Sequence, residues 1–214
     1  SGNFSADIRE RGQGIMGSPK TTKFSLQRRK VVHRILQERG DAAVVTGIGN
    51  AVHDVASAND DPKNMYLAGV MGGATMVAFG VALAQPKRRI LTITGDGELL
   101  AGVGSLATVG VEQPQNLSII VIDNQAYGAT GNQHTHTSRG VDLVGIAEAS
   151  GFKQTALITT NADLETELPR IYSAPGPYFA VVKVSSKSSV RINAPKDGTF
   201  VSRRFRGAVA VEGI

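Results

Sequence analysis

Short apolar runs alternate with helix-period stretches along most of this chain, and that alternation restricts the fold more than any other feature. β-type runs fall at Ala42 to Thr46, Met65 to Leu67, Arg89 to Thr94, Leu117 to Ile122, near Thr155, and at Tyr178 to Val184. Between them, helical stretches occupy Leu26 to Arg39, Met71 to Ala84, Leu99 to Val111, Leu143 to Ser150 and Asp163 to Tyr172. Apolar strands separated by helices predict an α/β fold, a doubly wound parallel sheet with helices on both faces. One such domain over 26–184 accounts for most of the 214 residues. A flexible extension over 1–25 and a basic tail over 185–214, periodic again only from Phe200 to Val211, are expected to flank it.

Ligands of open parallel sheets sit beyond the carboxyl ends of the strands. The three sharpest loops, Gly47–Asn50, Gly95–Glu98 and Asp123–Gly131, each follow a strand and are expected to converge on one site. Gly95-Asp96-Gly97, between a strand and a helix, allows close backbone approach and suits a phosphate at the helix N-terminus. Asp96 is placed to hold a hard cation, and Asn124 at the end of the next strand supplies a neutral oxygen. One carboxylate, one amide oxygen and backbone oxygens, completed by diphosphate oxygens, match the octahedral shell of Mg²⁺.

Charge and composition exclude several classes. Residues 1–39 carry a net +6 and residues 183–214 a net +5, so the stretch 40–182 carries −6 within the overall +5. An acidic body with basic ends is not the interleaved cationic and aromatic surface of a nucleic-acid groove, so no nucleic-acid partner is expected. No apolar run reaches the length of a membrane span, and Ser1 to Ser25 has no signal-peptide core, so no membrane association and a cytoplasmic location are expected. The absence of cysteine removes disulfides, thiolate zinc sites, iron–sulfur clusters and a cysteine nucleophile.

The stretches Gly69-Val-Met-Gly-Gly73, Gly95-Asp-Gly-Glu-Leu-Leu100, Gly104-Ser-Leu-Ala-Thr108, Asp123-Asn-Gln-Ala-Tyr-Gly-Ala-Thr-Gly-Asn-Gln133 and Thr135-His-Thr-Ser-Arg-Gly140 resemble the thiamine diphosphate-dependent decarboxylases. The likeness is to their diphosphate-binding half, within the decarboxylase and acetolactate-synthase branch, and is nearest to the sulfopyruvate and phosphonopyruvate decarboxylases. It implies thiamine diphosphate and Mg²⁺ as cofactors. By that resemblance Asp96, the Asn124 side chain and the main-chain oxygen of Ala126 hold the metal. Gly95, Gly97 and Glu98 meet the diphosphate, Gly49 and Asn50 cradle its other side, and Tyr127 and Gly128 complete the pocket. Gly69 accepts from the aminopyrimidine amine, and Met71 is the wedge beneath the cofactor.

Two positions depart from the pattern. Glu98 stands where near relatives often carry Ser, and Glu there is also found in transketolase-type enzymes. Thr130 stands where some decarboxylases carry an acidic residue, so this loop offers no carboxylate proton donor. Thr130, His134 and His136 are the candidate catalytic residues on the substrate side, where imidazole can polarise or protonate near neutral pH. Without a third ligand nearby the two histidines do not make a metal site, and surface histidines are the plain alternative. Arg139 is suited either to an anionic substrate group or to a salt bridge with Asp142.

The family places its activating Glu on a separate pyrimidine-binding domain. The resemblance therefore implies one subunit of a hetero-oligomer: a pyrimidine-binding alpha subunit brings the Glu, beta subunits pair, and the substrate is a small anionic 2-oxo acid. An acetolactate synthase-like carboligase and a non-catalytic cofactor-binding subunit are the alternatives. Ferredoxin-linked relatives are disfavoured because their cluster needs cysteines. A dinucleotide enzyme using Gly47-Ile-Gly49 matches weakly, since Val52 stands at the third glycine and no acidic residue follows at the usual spacing.

Overall fold

The computed structural model describes residues 24–187 and 190–210, so the expected N-terminal extension falls almost wholly outside the described residues. Strands β1 (Ala43–Thr46), β2 (Asn64–Tyr66), β3 (Ile90–Gly95), β4 (Leu117–Asp123), β5 (Ala126–Tyr127), β6 (Gln133–His134), β7 (Gln154–Ile158) and β8 (Tyr178–Lys183) alternate with helices. The helices are α1 (Arg28–Gln37), α2 (Asn50–Ala58), α3 (Ala74–Ala84), α4 (Asp96–Ala101), α5 (Ser105–Glu112), α6 (Leu143–Ala149), α7 (Asn161–Ser173) and α8 (Gly198–Val209). Six strands form one parallel sheet in the order β2-β1-β3-β4-β8-β7, and β5 with β6 makes a small antiparallel ribbon. The predicted doubly wound α/β architecture is the observed one.

Strand alternation builds the two cores. In β4, Leu117, Ile119 and Val121 join the core beneath α3, α5 and α6, while Ile120 and Ile122 join the one beneath α1, α2 and α7. Burial on both faces explains why β4 reads as a continuous apolar run. Each such buried Ile or Leu contributes about 1.5–3 kcal/mol. Helix α7 starts where a capping box says it should, with the Thr160 hydroxyl accepting from Asp163 N and the Asp163 carboxylate accepting from Thr160 N.

Three local readings change. Helix α3 begins at Ala74 rather than Met71, because Gly72 sits at φ +78°, outside the helical region. The single helix expected over Leu99 to Val111 is two, α4 and α5. The break falls at Gly102, where a Cβ would run into the main-chain carbonyl of Gly72. Helix α2 has no counterpart in the sequence reading; it follows Gly49 at φ +88° and buries Val52 and Val55.

The described residues of the basic tail pack on the domain. Asp197 caps α8 by accepting from Thr199 N and Phe200 N, at 2.8 and 3.0 Å. Helix α8 packs on edge strand β2, with Val201 entering one core and Phe205 and Val209 the other. Its cationic side chains Arg203 and Arg206 face outward. Among the described residues no helix is long and apolar enough to cross a membrane.

Candidate functional site

The chain leaves β1 toward β2 on one side and reaches β3 on the other, so the switch point lies between β1 and β3. Thr46 pairs with Ile93 and Gly95 with Ile122, which brings the carboxyl ends of β1, β3 and β4 together. The three loops do converge. They enclose a cavity of about 140 Å³, lined among others by Gly49, Asn50, Met71, Gly95, Asp96 and Gly97. Glu98, Asn124, Ala126, Tyr127, Gly128 and Thr130 also line it.

Asp96 is its chemical centre. The carboxylate is 1% exposed and is held by loop 135–137. The Thr135 hydroxyl donates to Oδ2, and Thr137 Oγ1 lies 2.9 Å from the same oxygen. Thr137 Oγ1 is also 2.9 Å from Asp123 Oδ1, and Asp123 Oδ2 accepts from Lys183 Nζ at 2.5 Å. Burial, followed by the charge of Asp123, pushes the Asp96 carboxyl up to about 7. A buried carboxylate in this position is a site that a cation would relieve.

The other oxygens stand beside it. Asn124 is buried, and its Oδ1 makes only a 3.3 Å contact with Ala126 N, leaving that oxygen with little competition. Gln125 adopts φ +59°, which turns the chain sharply between Asn124 and Ala126. Among the described residues no group of three His, Cys, Asp or Glu could hold a metal ion. A cation placed here would have one carboxylate, one amide oxygen and main-chain oxygens available, with the remainder to come from a ligand, a donor set that fits Mg²⁺.

The backbone fits a diphosphate. Helices α2 and α4 open at the cavity, so their free N–H groups and positive dipole ends meet there. A Cβ on Gly49 or Gly95 meets nothing within 4 Å, so glycine preserves space at those positions rather than packing. Gly97 and Gly128 are glycines for the opposite reason. A Cβ on Gly97 would strike the Tyr127 ring, and one on Gly128 the Asn50 amide.

Glu98 explains its own departure. It is buried; Oε1 accepts from Ala74 N at 3.2 Å and Oε2 accepts from the Thr94 hydroxyl. It caps α3 and braces β3, and Gly47 makes room for it, since a Cβ there would come within 2.6 Å of Glu98 Cδ. Met71 lies before α3 rather than in it and is half-exposed on the cavity wall, so it is not a core methionine.

Several participants were not visible in the sequence. Arg28 lines the cavity while buried against Asp54, which also accepts from Arg29 Nε at 3.1 Å. Burial raises the Asp54 carboxyl despite both arginines. Thr135 and Thr137 are a second omission; only their place in the Thr135–Gly140 stretch hinted at them. Of the expected residues, Gly69 lines a neighbouring cavity, and His134 and His136 line neither. His134 pairs with Ala126 across the β5–β6 ribbon, and His136 is exposed. Arg139 is exposed too and does not pair with Asp142, whose carboxylate instead caps α6 at Val144 N, 3.0 Å.

Residues 47–182 match the family model for the thiamine pyrophosphate enzyme C-terminal, cofactor-binding domain. Phosphonopyruvate decarboxylase of Streptomyces viridochromogenes is 36% identical over 170 residues, 79% of this chain and 42% of that protein. Sulfopyruvate decarboxylase subunit beta of Methanothermobacter thermautotrophicus is 35% identical over 159 residues, 74% of this chain and 82% of that subunit. The chain thus spans less than half of the first relative and most of the second. A Mycobacterium smegmatis crystal structure, provisionally described as a thiamin diphosphate-dependent enzyme, superposes with a TM-score of 0.65 at 21% identity. The match covers 78% of this chain and 33% of that one, and it shows the fold.

Proposed function

Because the chain belongs to the thiamine pyrophosphate enzyme family through its C-terminal, cofactor-binding domain, we propose that it is the diphosphate- and Mg²⁺-holding subunit of a two-chain 2-oxo-acid decarboxylase. The observation that carries this reading is the meeting of Asp96, Asn124 and Ala126 with the bare backbone of Gly49 and Gly95 in one cavity. Asp96 would hold the cation, oriented by Thr137, with Asn124 Oδ1 and the Ala126 carbonyl beside it. The openings of α2 and α4 would face the diphosphate, and Met71 would support the ring portion from below. When bound, the cofactor supplies the electron sink that a 2-oxo acid lacks for loss of carbon dioxide.

The carboxylates support a pyrimidine-binding partner. Besides Asp96, the cavity is lined by Asp54 and Glu98. Asp54 is engaged by two arginines, and Glu98 by Thr94 and Ala74. Neither is available to activate the cofactor, so the activating Glu would come from a pyrimidine-binding partner. The outward face of α3, with Met76 at 40% and Leu83 at 56% exposure, supports a further contact between paired copies of this subunit. A small acidic 2-oxo acid of the sulfopyruvate or phosphonopyruvate kind is the proposed substrate, after the relatives that share this domain. Thr130, on the cavity wall, remains the proposed substrate-side residue of its loop.

The test is a titration of thiamine diphosphate, with and without Mg²⁺, into a pyrimidine-binding chain mixed with wild type or with Asp96→Ala. Metal-dependent affinity should vanish in the variant; unchanged affinity removes Asp96 from the site.

A further inference from the structure

The basic segment before α8 does more than join it to β8. Ser185 N donates to Leu26 O at 2.8 Å, Arg29 Nη2 to Val190 O at 2.5 Å, and His53 Nδ1 contacts Ile192 O at 2.6 Å. A carbonyl only accepts, so the imidazole donates from Nδ1. Ala194 is buried in the core. These contacts hold the segment against α1 and α2 and bring Arg191 and Lys196 onto the wall of a cavity of about 620 Å³.

This second cavity shares Ile48, Gly49, Asn50 and Ala129 with the first, so the two adjoin around the loop after β1. No Asp or Glu lines it. Among the described residues neither Arg191 nor Lys196 makes an ion pair. Arg28 and Arg29, by contrast, are bound to Asp54, Arg204 to Asp60 and Lys183 to Asp123, while Lys187 and Arg203 make no ion pair among the described residues but do not line this cavity. Two unpaired cations therefore face an uncompensated space beside the cofactor cavity. A diphosphate held as proposed above would not need them, because its charge would be met in the first cavity by the cation at Asp96 and by the backbone at α2 and α4.

We propose that Arg191 and Lys196 form the specificity site for the substrate's second acidic group, a sulfonate or phosphonate, and so select such 2-oxo acids over neutral ones. This rests on the function proposed above and names the part of this chain that would read the substrate. The Arg191 guanidinium offers a planar fork for two oxygens of a tetrahedral anion, and Lys196 adds a mobile point charge. A substrate with a methyl group in that place leaves both cations solvated and gains nothing from them.

The test uses the full chain at low salt, with 3-sulfopropionate, which keeps both acidic groups but lacks the reactive carbonyl, and propionate as the single-anion control. Wild type should bind 3-sulfopropionate in a salt-sensitive way, and Arg191→Gln/Lys196→Gln should bind it about tenfold more weakly or worse. Propionate should not distinguish the two proteins. Equal affinity of both proteins for 3-sulfopropionate, or no binding by wild type, overturns the proposal. A double variant that instead loses Mg²⁺-dependent affinity for thiamine diphosphate also overturns it, by assigning the cations to the cofactor. No Mg²⁺-dependent response to thiamine diphosphate by either protein when mixed with a pyrimidine-binding chain is a separate result: it overturns the cofactor reading, and the substrate assignment with it.

Discussion

Thr137→Val isolates how the fold prepares Asp96 for a cation. The substitution keeps the shape of a buried side chain and removes one hydroxyl, which lies 2.9 Å from both Asp96 Oδ2 and Asp123 Oδ1. That hydroxyl is the one group touching both carboxylates, and a hydrogen bond to a charged partner contributes about 1.5–3 kcal/mol. Losing it frees the Asp96 side chain from one of its two threonine anchors and leaves two acidic groups facing each other with less screening. Mg²⁺ affinity in the presence of thiamine diphosphate should fall about 10- to 100-fold, the range for losing a group that orients a metal ligand. The Asp96 carboxyl, already at about 7 through burial and Asp123, should rise further. The sign for stability follows: a carboxyl raised on folding favours the folded chain below the ordinary carboxylate range, and that contribution is lost as pH rises through about 7. Calorimetric Mg²⁺ titrations at pH 7.5, with thiamine diphosphate and a pyrimidine-binding chain present, and circular dichroism to show that the variant is folded, provide the assay. A variant that is folded and binds Mg²⁺ within twofold of wild type refutes the positioning role.

Asp54→Ala should destabilise the chain by about 3–5 kcal/mol in urea unfolding, because Arg28, 4% exposed, is left charged without its partner. Gly97→Ala should cost about 1–3 kcal/mol, since the new Cβ meets the Tyr127 ring, and Gly97→Ala/Tyr127→Ala should recover part of that loss. Asp163 is held down to about 2, chiefly by hydrogen bonds from Thr159 and Thr160. Its contribution is present above the ordinary carboxylate range and lost as pH falls through about 2, so Asp163→Asn should flatten the acid limb of the melting-temperature profile between pH 5 and pH 2.

The sheet and the loops around the first cavity were legible because local signals carry them. Both faces of β3 and β4 are buried, so those strands read as apolar runs. Gly95-Asp96-Gly97 and Asn124 sit at ends of neighbouring strands, where sequence spacing implies proximity. The parts that were missed depend on contacts between distant residues. Thr135 and Thr137 reach Asp96 from about forty positions away, and Arg28 meets Asp54 across α1 and α2; no periodicity reports such pairs. Glu98 looked like an oddity until its side chain was seen capping α3 instead of facing the cavity opening. Helix α2 escaped notice because only Val52 and Val55 mark its buried side. The tail read as an appendage because Arg203, Arg204 and Arg206 dominate its composition, while the three residues that anchor it are spaced four apart.

The central claim is that this chain holds half of a cofactor site and a partner completes it. The most direct measurement is calorimetric titration of thiamine diphosphate at saturating Mg²⁺, first into the chain alone and then into its equimolar mixture with a pyrimidine-binding chain. Carbon dioxide release from a sulfonated or phosphonated 2-oxo acid is followed in the same samples. The account predicts weak or no binding and no turnover alone, with tight binding and turnover in the mixture. Tight binding and turnover by the chain alone would contradict it.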